Sequence, residues 1–92
     1  MPEKIAHPFP VRSQHVEWSI GAGKTITVKD TVSGWFFPLN EVATLIWDML
    51  DGTNDVLAIV NALCAEFQVD PETARTDVEE FIGQAQDLGL IS

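Results

Sequence analysis

The stretch Gly34-Trp35-Phe36-Phe37-Pro38-Leu39-Asn40-Glu41 marks the point where this chain changes from strands to helices. Its three consecutive aromatic residues favour a short strand, because aromatic side chains pack well on a pleated surface. Pro38 has no N–H to donate to a strand ladder, so the strand is expected to end there or to lie at a sheet edge. Asn40 can accept a backbone N–H of a first helical turn, which predicts a helix directly after it.

The residues before this stretch predict a small antiparallel sheet. Val16, Trp18 and Ile20 alternate with polar residues, a pattern typical of a half-buried strand. The segment Thr25–Val28 is rich in β-branched residues and predicts a second strand. With Trp35–Phe37 as the third, and glycine-containing turns between them, the three strands form a meander.

The residues after the stretch predict three helices, because apolar residues recur there at spacings of three and four. Asp51-Gly52 is expected to end the first helix, and the second begins between Thr53 and Asp55. Asp70-Pro71 opens the third, since Asp can cap a helix and Pro fits its first position. The predicted apolar faces are Ala43, Ile46, Trp47 and Leu50; Val56, Ile59, Val60, Leu63 and Phe67; and Ala74, Val78, Phe81, Ile82, Ala85 and Leu88. The fold class is therefore α+β, an N-terminal three-stranded antiparallel sheet followed by three helices.

Size and composition indicate one globular domain. The chain has 92 residues, of which 46% are hydrophobic and 21% charged. We expect residues 1–10, with three prolines, to form an N-terminal arm and residues 11–92 to form the domain; the initial Met1 favours a whole protein. A single cysteine excludes an internal disulfide, and neither a signal peptide nor a long apolar run is present. A soluble, cytoplasmic protein is expected.

The charge of the chain argues against nucleic acid and membrane partners. The net charge is −9, and residues 41–92 carry eleven acidic residues and one cation, Arg75. Phosphate binding needs clustered Lys and Arg, and anionic membranes repel an acidic surface. A DNA-binding winged helix, which the order of elements suggests, is therefore only an alternative. A dimerisation module that pairs two copies through the same strand edge is another, so the protein is expected to be a monomer or a homodimer.

No motif for catalysis, metal or cofactor binding is complete. Gly21-Ala22-Gly23-Lys24-Thr25 is similar to a phosphate loop, but Trp18 stands where that pattern needs its first glycine, and strand-forming residues follow. A hairpin turn is predicted instead. His7, His15 and Cys64 are too few and too scattered for a zinc site. We expect no metal, no cofactor and no enzymatic activity.

The aromatic strand and the third helix together predict a groove. On a strand, Trp35 and Phe37 face one side and Phe36 the other, so both sides are apolar. An edge strand also carries unpaired N–H and C=O groups that can take a guest strand. Gly83 costs the third helix about 1 kcal/mol relative to alanine. Either another backbone segment packs closely against Gly83, or the glycine has no functional role. Arg75 either pairs with a nearby acidic residue or binds an acidic residue of a guest.

The order and spacing of several short segments resemble the PqqD family over about residues 10–92. These segments are Leu39-Asn40-Glu41-x-Ala43, Ile46-Trp47, Asp51-Gly52, Ile59-Val60, Leu63, Asp77-Val78, Phe81 and Leu88-Gly89-Leu90-Ile91. The resemblance implies a fold similar to a winged helix-turn-helix. It also implies a protein that binds the leader of a ribosomally made precursor peptide and presents it to a modifying enzyme, such as a radical S-adenosylmethionine enzyme.

In that family the leader adds as a strand to the third strand and rests against the third helix. The resemblance therefore implies a peptide-binding set of Trp35, Phe36, Phe37, Arg75, Val78, Phe81, Ile82 and Ala85. The run Trp35–Pro38 is more aromatic than the pyrroloquinoline quinone pathway leads one to expect. A lasso-type or another modified-peptide pathway stays open.

Overall fold

Three strands precede three helices in the computed structural model, which describes residues 10–21 and 23–91. The elements are β1 (Val16–Ile20), β2 (Ile26–Asp30), β3 (Phe36–Pro38), α1 (Glu41–Asp48), α2 (Val56–Phe67) and α3 (Pro71–Asp87). The strands form one antiparallel sheet in the order β1-β2-β3, so β3 is an edge strand. The predicted α+β class, a three-stranded antiparallel sheet followed by three helices, is confirmed. The predicted arm lies outside the described residues except for Pro10, which is buried.

The glycine-rich segment before β2 is a hairpin turn. Gly21 N–H donates to the carbonyl of Thr25 at 2.8 Å, and Lys24 N–H donates to the carbonyl of Gly21 at 3.0 Å. Lys24 adopts a left-handed backbone conformation with φ of 63°. A strand follows, not a helix, so no helix N-terminus is available here to bind a phosphate.

Each helix begins at a side-chain cap. Asn40, Asp55 and Asp70 each accept the backbone N–H of the residue three positions on, at 2.8 Å in every case. The predicted caps Asn40 and Asp70 are confirmed, as is Pro71 at the start of α3. By contrast, α1 ends at Asp48, three residues before the predicted stop at Asp51.

Arg12 contacts the end of α1. Its Nη1 atom donates to the carbonyl of Trp47 at 2.7 Å and to that of Asp48 at 3.4 Å, and the Trp47 carbonyl also accepts the N–H of Leu50 at 3.1 Å. The Arg12 backbone N–H donates to the carbonyl of Leu50 at 3.0 Å. The guanidinium also lies 4.5 Å from the centre of the Trp18 ring. Arg12 therefore ties the start of the sheet to the end of α1.

The core lies between the sheet and the three helices. Its largest fully buried side chains are Trp47, Ile46, Leu50, Ile59, Leu63, Val28 and Val78. The face of β1 predicted to be half-buried is only partly covered: Val16 is buried, whereas Trp18 and Ile20 are exposed. Trp18 rests edge-on against Trp47, with ring centres 5.6 Å apart. None of the helices in residues 23–91 is long and apolar enough to span a membrane.

Candidate functional site

One edge of the sheet is formed by β3, which pairs only with β2 among the described residues and presents aromatic side chains on both faces. Phe37 lies opposite Val28 and Phe36 opposite Lys29, so Phe37 faces the core and Phe36 faces away from it. Phe37 is half-buried, while Phe36 and Trp35 are 61% and 67% exposed. The Lys29 ammonium lies 5.6 Å from the centre of the Phe36 ring. The predicted placement of Phe36 and Phe37 on opposite faces is confirmed, whereas Trp35 lies before the strand.

The strand is displaced by one residue from its predicted position, Trp35–Phe37. It runs from Phe36 to Pro38, and Trp35 precedes it while still accepting the N–H of Asp30 at 2.9 Å. Pro38 fits inside the strand because it lies opposite Thr27, at a position whose N–H would point away from β2. The missing donor therefore costs the sheet no hydrogen bond.

The turn before β3 is held by Asp30. Its carboxylate accepts the N–H groups of Val32 at 2.9 Å and Ser33 at 3.3 Å. These bonds, the one from Val32 first, lower the pKa of Asp30 below its usual value. Gly34, with φ of 82°, donates its N–H to the carbonyl of Asp30 at 2.7 Å. A left-handed residue is needed here, which favours glycine. The turn thus fixes where β3 begins.

A cavity of about 190 Å³ lies between β3 and the second half of α3. Its lining is mostly apolar and comprises Val28, Phe37, Pro38, Leu39, Trp47, Phe81, Gln84, Ala85, Leu88 and Leu90. We call this cavity and the β3 edge beside it the β3–α3 groove. It combines apolar walls with a strand edge that has no neighbour among the described residues.

The groove continues between α1 and α3. A second depression of about 270 Å³ shares Phe81 and Gln84 with the first, and its lining includes the acidic residues Asp77 and Glu80. Phe81 is half-buried and stands between the two depressions. Phe81 is therefore placed, as is Gln84, to contact whatever enters either depression.

Three residues of the predicted set meet in the groove. Phe37, Phe81 and Ala85 all line its cavity, one from β3 and two from α3. Gln84 and Leu88 also line it, although the predicted set omits them. Their spacing of three and seven residues from Phe81 is the signal that places them on the same helix face.

Of the other predicted residues, Phe36 lies on the β3 edge and Trp35 directly before it, while the three on α3 lie outside the cavity lining. Val78 is fully buried, so the structure places it in the core and not on the groove wall. Ile82 is half-buried and packs against the core, outside the cavity lining. Arg75 is exposed and forms an ion pair with Glu79, one helical turn on, at 3.6 Å. The wide apolar stripe of α3 predicts which of its residues make apolar contacts. It does not predict which of them face the core and which face the groove.

Gly83 leaves open space on α3. A Cβ atom built at this position meets no atom within 4 Å in the described part of the chain. Its presence is therefore not explained by another segment of this chain coming close.

No metal centre is formed by residues 10–21 and 23–91, since no group of three or more His, Cys, Asp or Glu side chains converges there. His7 lies outside the described residues. Cys64 is a free, half-buried thiol that packs against the core. The cavity of the β3–α3 groove is lined by apolar side chains and by the polar side chain of Gln84.

A family model described as "Coenzyme PQQ synthesis protein D (PqqD)" matches residues 25–91, which is most of the chain. The chain belongs to the PqqD family. The resemblance seen in the sequence is thereby confirmed. No curated protein sequence matches the chain.

Solved structures share the fold of this PqqD-family chain. One is described as "TbiB1 in Complex with the TbiA(beta) Leader Peptide"; it is 26% identical, with a TM-score of 0.80 over 89% of this chain and 94% of that one. Another, "Lasso peptide synthetase B1 complexed with the leader peptide", is 18% identical, with a TM-score of 0.82 over 91% and 98% of the two chains. Neither the family nor these structures support the DNA-binding alternative. The PqqD match begins after β1, whereas the shared fold covers nearly the whole chain.

Proposed function

We propose that this PqqD-family chain binds the leader segment of a ribosomally made precursor peptide and presents it to a modifying enzyme. The observation that carries the proposal is the β3–α3 groove, where a free strand edge adjoins an apolar cavity. The family match and the TbiB1 complex, whose description names a leader peptide, support the same conclusion.

The groove supports binding by strand addition. Main-chain hydrogen bonds to a sheet edge supply affinity that does not depend on sequence, while pockets for alternate side chains supply specificity. Side chains of a guest strand on the core side meet Phe37, Phe81 and Ala85. Those on the opposite side run beside Phe36 and Lys29.

The proposed role is non-catalytic and needs no cofactor. The chain supplies a docking surface, and the chemistry belongs to the enzyme that receives the peptide. That enzyme is a radical S-adenosylmethionine protein if the pathway is that of pyrroloquinoline quinone, as the family description suggests. A lasso-type pathway stays open, since the description of one structure with this fold names a lasso peptide synthetase. Either partner is met in the cytoplasm in this proposal.

A titration of the isotope-labelled protein tests the proposal. The probe is the synthetic leader segment of the precursor peptide encoded beside this chain, and amide shifts are mapped by NMR. Shifts confined to residues 35–40 and 80–89, with micromolar or tighter affinity, are expected. A folded sample that shows no shifts, alone or with the neighbouring enzyme added, would contradict the proposal.

Phe81→Ala is the sharpest variant. Because Phe81 lines both depressions, its removal is expected to weaken leader binding by about tenfold or more, the range of an aromatic hot spot. Leu57→Ala is the matched control, since Leu57 is an exposed apolar residue on α2 that does not line the groove. Calorimetric titration gives both affinities, and thermal unfolding shows that both variants are folded. Equal affinities would remove Phe81 from the site.

A further inference from the structure

The backbone groups of β3 alternate between the sheet and the free edge. Asp30 N–H donates to the carbonyl of Trp35 at 2.9 Å, and Leu39 N–H donates to the carbonyl of Ile26 at 2.8 Å. In an antiparallel pair, hydrogen-bonded and non-hydrogen-bonded positions alternate. Residues 35, 37 and 39 therefore direct their backbone groups toward β2. Phe36 and Pro38 direct theirs away from it, toward the open side.

The open side of β3 is consequently short, and it has fewer hydrogen-bond donors than acceptors. Phe36 offers an N–H and a carbonyl, whereas Pro38 offers a carbonyl alone because its ring nitrogen carries no hydrogen. The strand therefore presents one donor and two acceptors to a guest.

At each end of this edge, one backbone group is already bonded within the flanking turn or helix start. On one side, Gly34 N–H is already bonded to the carbonyl of Asp30 at 2.7 Å. On the other, the Asn40 carbonyl accepts Thr44 N–H at 2.8 Å and its side chain accepts Ala43 N–H, so Asn40 belongs to the start of α1. The Gly34 N–H and the Asn40 carbonyl, two of the groups that a longer ladder would use, are therefore already bonded within the chain.

We propose that Pro38 sets the register and the length of the bound strand, so that a guest contributes two N–H groups and one carbonyl to the edge. This inference rests on the proposed function. The two guest N–H groups bond to the carbonyls of Phe36 and Pro38, and the guest carbonyl accepts Phe36 N–H. Whether the guest runs parallel or antiparallel to β3, the two donors belong to guest residues two positions apart.

The partner is therefore a peptide segment with a particular backbone requirement. Two of its residues, separated by one, must keep their N–H groups, which excludes proline at both positions. The guest residue between these two, and the guest residues beyond them, do not donate an N–H to β3. Backbone hydrogen bonding therefore tolerates proline at those positions. Side-chain preferences come from the β3–α3 groove and are independent of this rule.

An N-methyl scan of the leader tests the register. Single N-methyl groups are placed along the synthetic leader segment and each affinity is measured by calorimetric titration. Methylation of two amides, two residues apart, is expected to weaken binding by about tenfold or more, because each loses a hydrogen bond and places a methyl against the strand. Methylation elsewhere should change affinity by less than about threefold. Three or more sensitive amides at every second residue, or none, would overturn the proposal.

Pro38→Ala supplies a second readout. The variant restores an N–H on the open edge, and this amide is expected to become protected from hydrogen exchange when the unmodified leader binds. The contrary outcome is that the amide of residue 38 exchanges equally fast with and without leader while the Phe36 N–H is protected. In that case the proposed role of Pro38 in setting the register is wrong. Failure of the unmodified leader to bind the parent protein contradicts the proposed function itself. If the unmodified leader binds but no N-methyl group changes its affinity, only the proposed register is contradicted.

Discussion

Gly83 is the residue whose replacement should most simply stabilise the protein. It lies inside α3 with open space at its Cβ position and no positive φ. Gly83→Ala is expected to raise the free energy of unfolding by about 1 kcal/mol, because alanine loses less backbone entropy in a helix. For a chain of this size that corresponds to a rise in Tm of about 4–8 °C.

Gly89 provides the matched control for this experiment. Space around its Cβ position is equally open, but its φ is 75°, a conformation that alanine adopts at a cost. Gly89→Ala should therefore lower the Tm while Gly83→Ala raises it. Thermal unfolding of both variants distinguishes the effect of backbone conformation from the effect of steric space around the Cβ atom. A fall in Tm for Gly83→Ala would mean that α3 is not a regular helix at that point.

At the scale of elements, the anchoring of α1 by Arg12 is the contact that local sequence signals do not reveal. Arg12→Ala removes the donor to the Trp47 and Asp48 carbonyls and the cation over the Trp18 ring. We expect a loss of about 1–3 kcal/mol in the free energy of unfolding, the range for hydrogen bonds from charged groups. Chemical denaturation measures it.

Arg75→Ala is the control, since the Arg75–Glu79 ion pair is exposed and such pairs contribute about 0–1 kcal/mol. An Arg12→Ala variant as stable as Arg75→Ala would show that α1 ends without help from Arg12. Arg12→Lys adds a further distinction. Lysine keeps the charge but not the planar guanidinium, so only part of the stability should return.

The elements differ in how far the sequence predicts them. Asn40 and Asp70 act on the next turn of their own helix, so a local pattern was sufficient to place both helix starts. The Trp47 carbonyl at the end of α1 accepts a hydrogen bond from Arg12, 35 residues away in the chain, and no local pattern contains that contact. The sheet edge was predicted from Pro38, although the strand is displaced by one residue.

The candidate site was predicted in part for the same reason. Phe37, Phe81 and Ala85 line the groove, as the family resemblance implied; strand alternation gives the face of Phe37, and helix spacing puts Phe81 and Ala85 on one row of α3. Val78 belongs to the same apolar stripe, but which row of a wide stripe meets the core depends on how α3 packs against its neighbours. That packing is a property of the assembled fold.

For the whole molecule, the ionisation of aspartates makes stability depend on pH. The pKa values of Asp30, Asp51 and Asp70 are all lowered, chiefly by the Val32 N–H, the Thr53 hydroxyl and the Thr73 N–H respectively. A carboxyl whose pKa is lower in the folded state stabilises the fold above its unfolded pKa. That stability is lost as the pH falls through the folded pKa. The Tm should therefore fall as the pH is lowered from about 5 toward 3.

Asp70→Asn isolates one of these sites. Asparagine also caps helices well but does not titrate, so the fall in Tm of the variant between about pH 5 and 3 should be smaller than that of the parent. Thermal unfolding at a series of pH values at constant ionic strength makes the comparison. Parallel curves for the two proteins would show that the Asp70 carboxylate has the same pKa folded and unfolded.

The placement of the three tryptophans has a consequence for optical work on this protein. The chain has no tyrosine, and its indoles occupy three different environments: Trp47 is fully buried, Trp18 is 42% exposed and Trp35 is 67% exposed beside the free edge. The intrinsic fluorescence of the unlabelled chain is thus the sum of the emission from one buried and two partly exposed tryptophans. Trp35 contributes the red side of that spectrum, at the point where water would be displaced by an incoming strand.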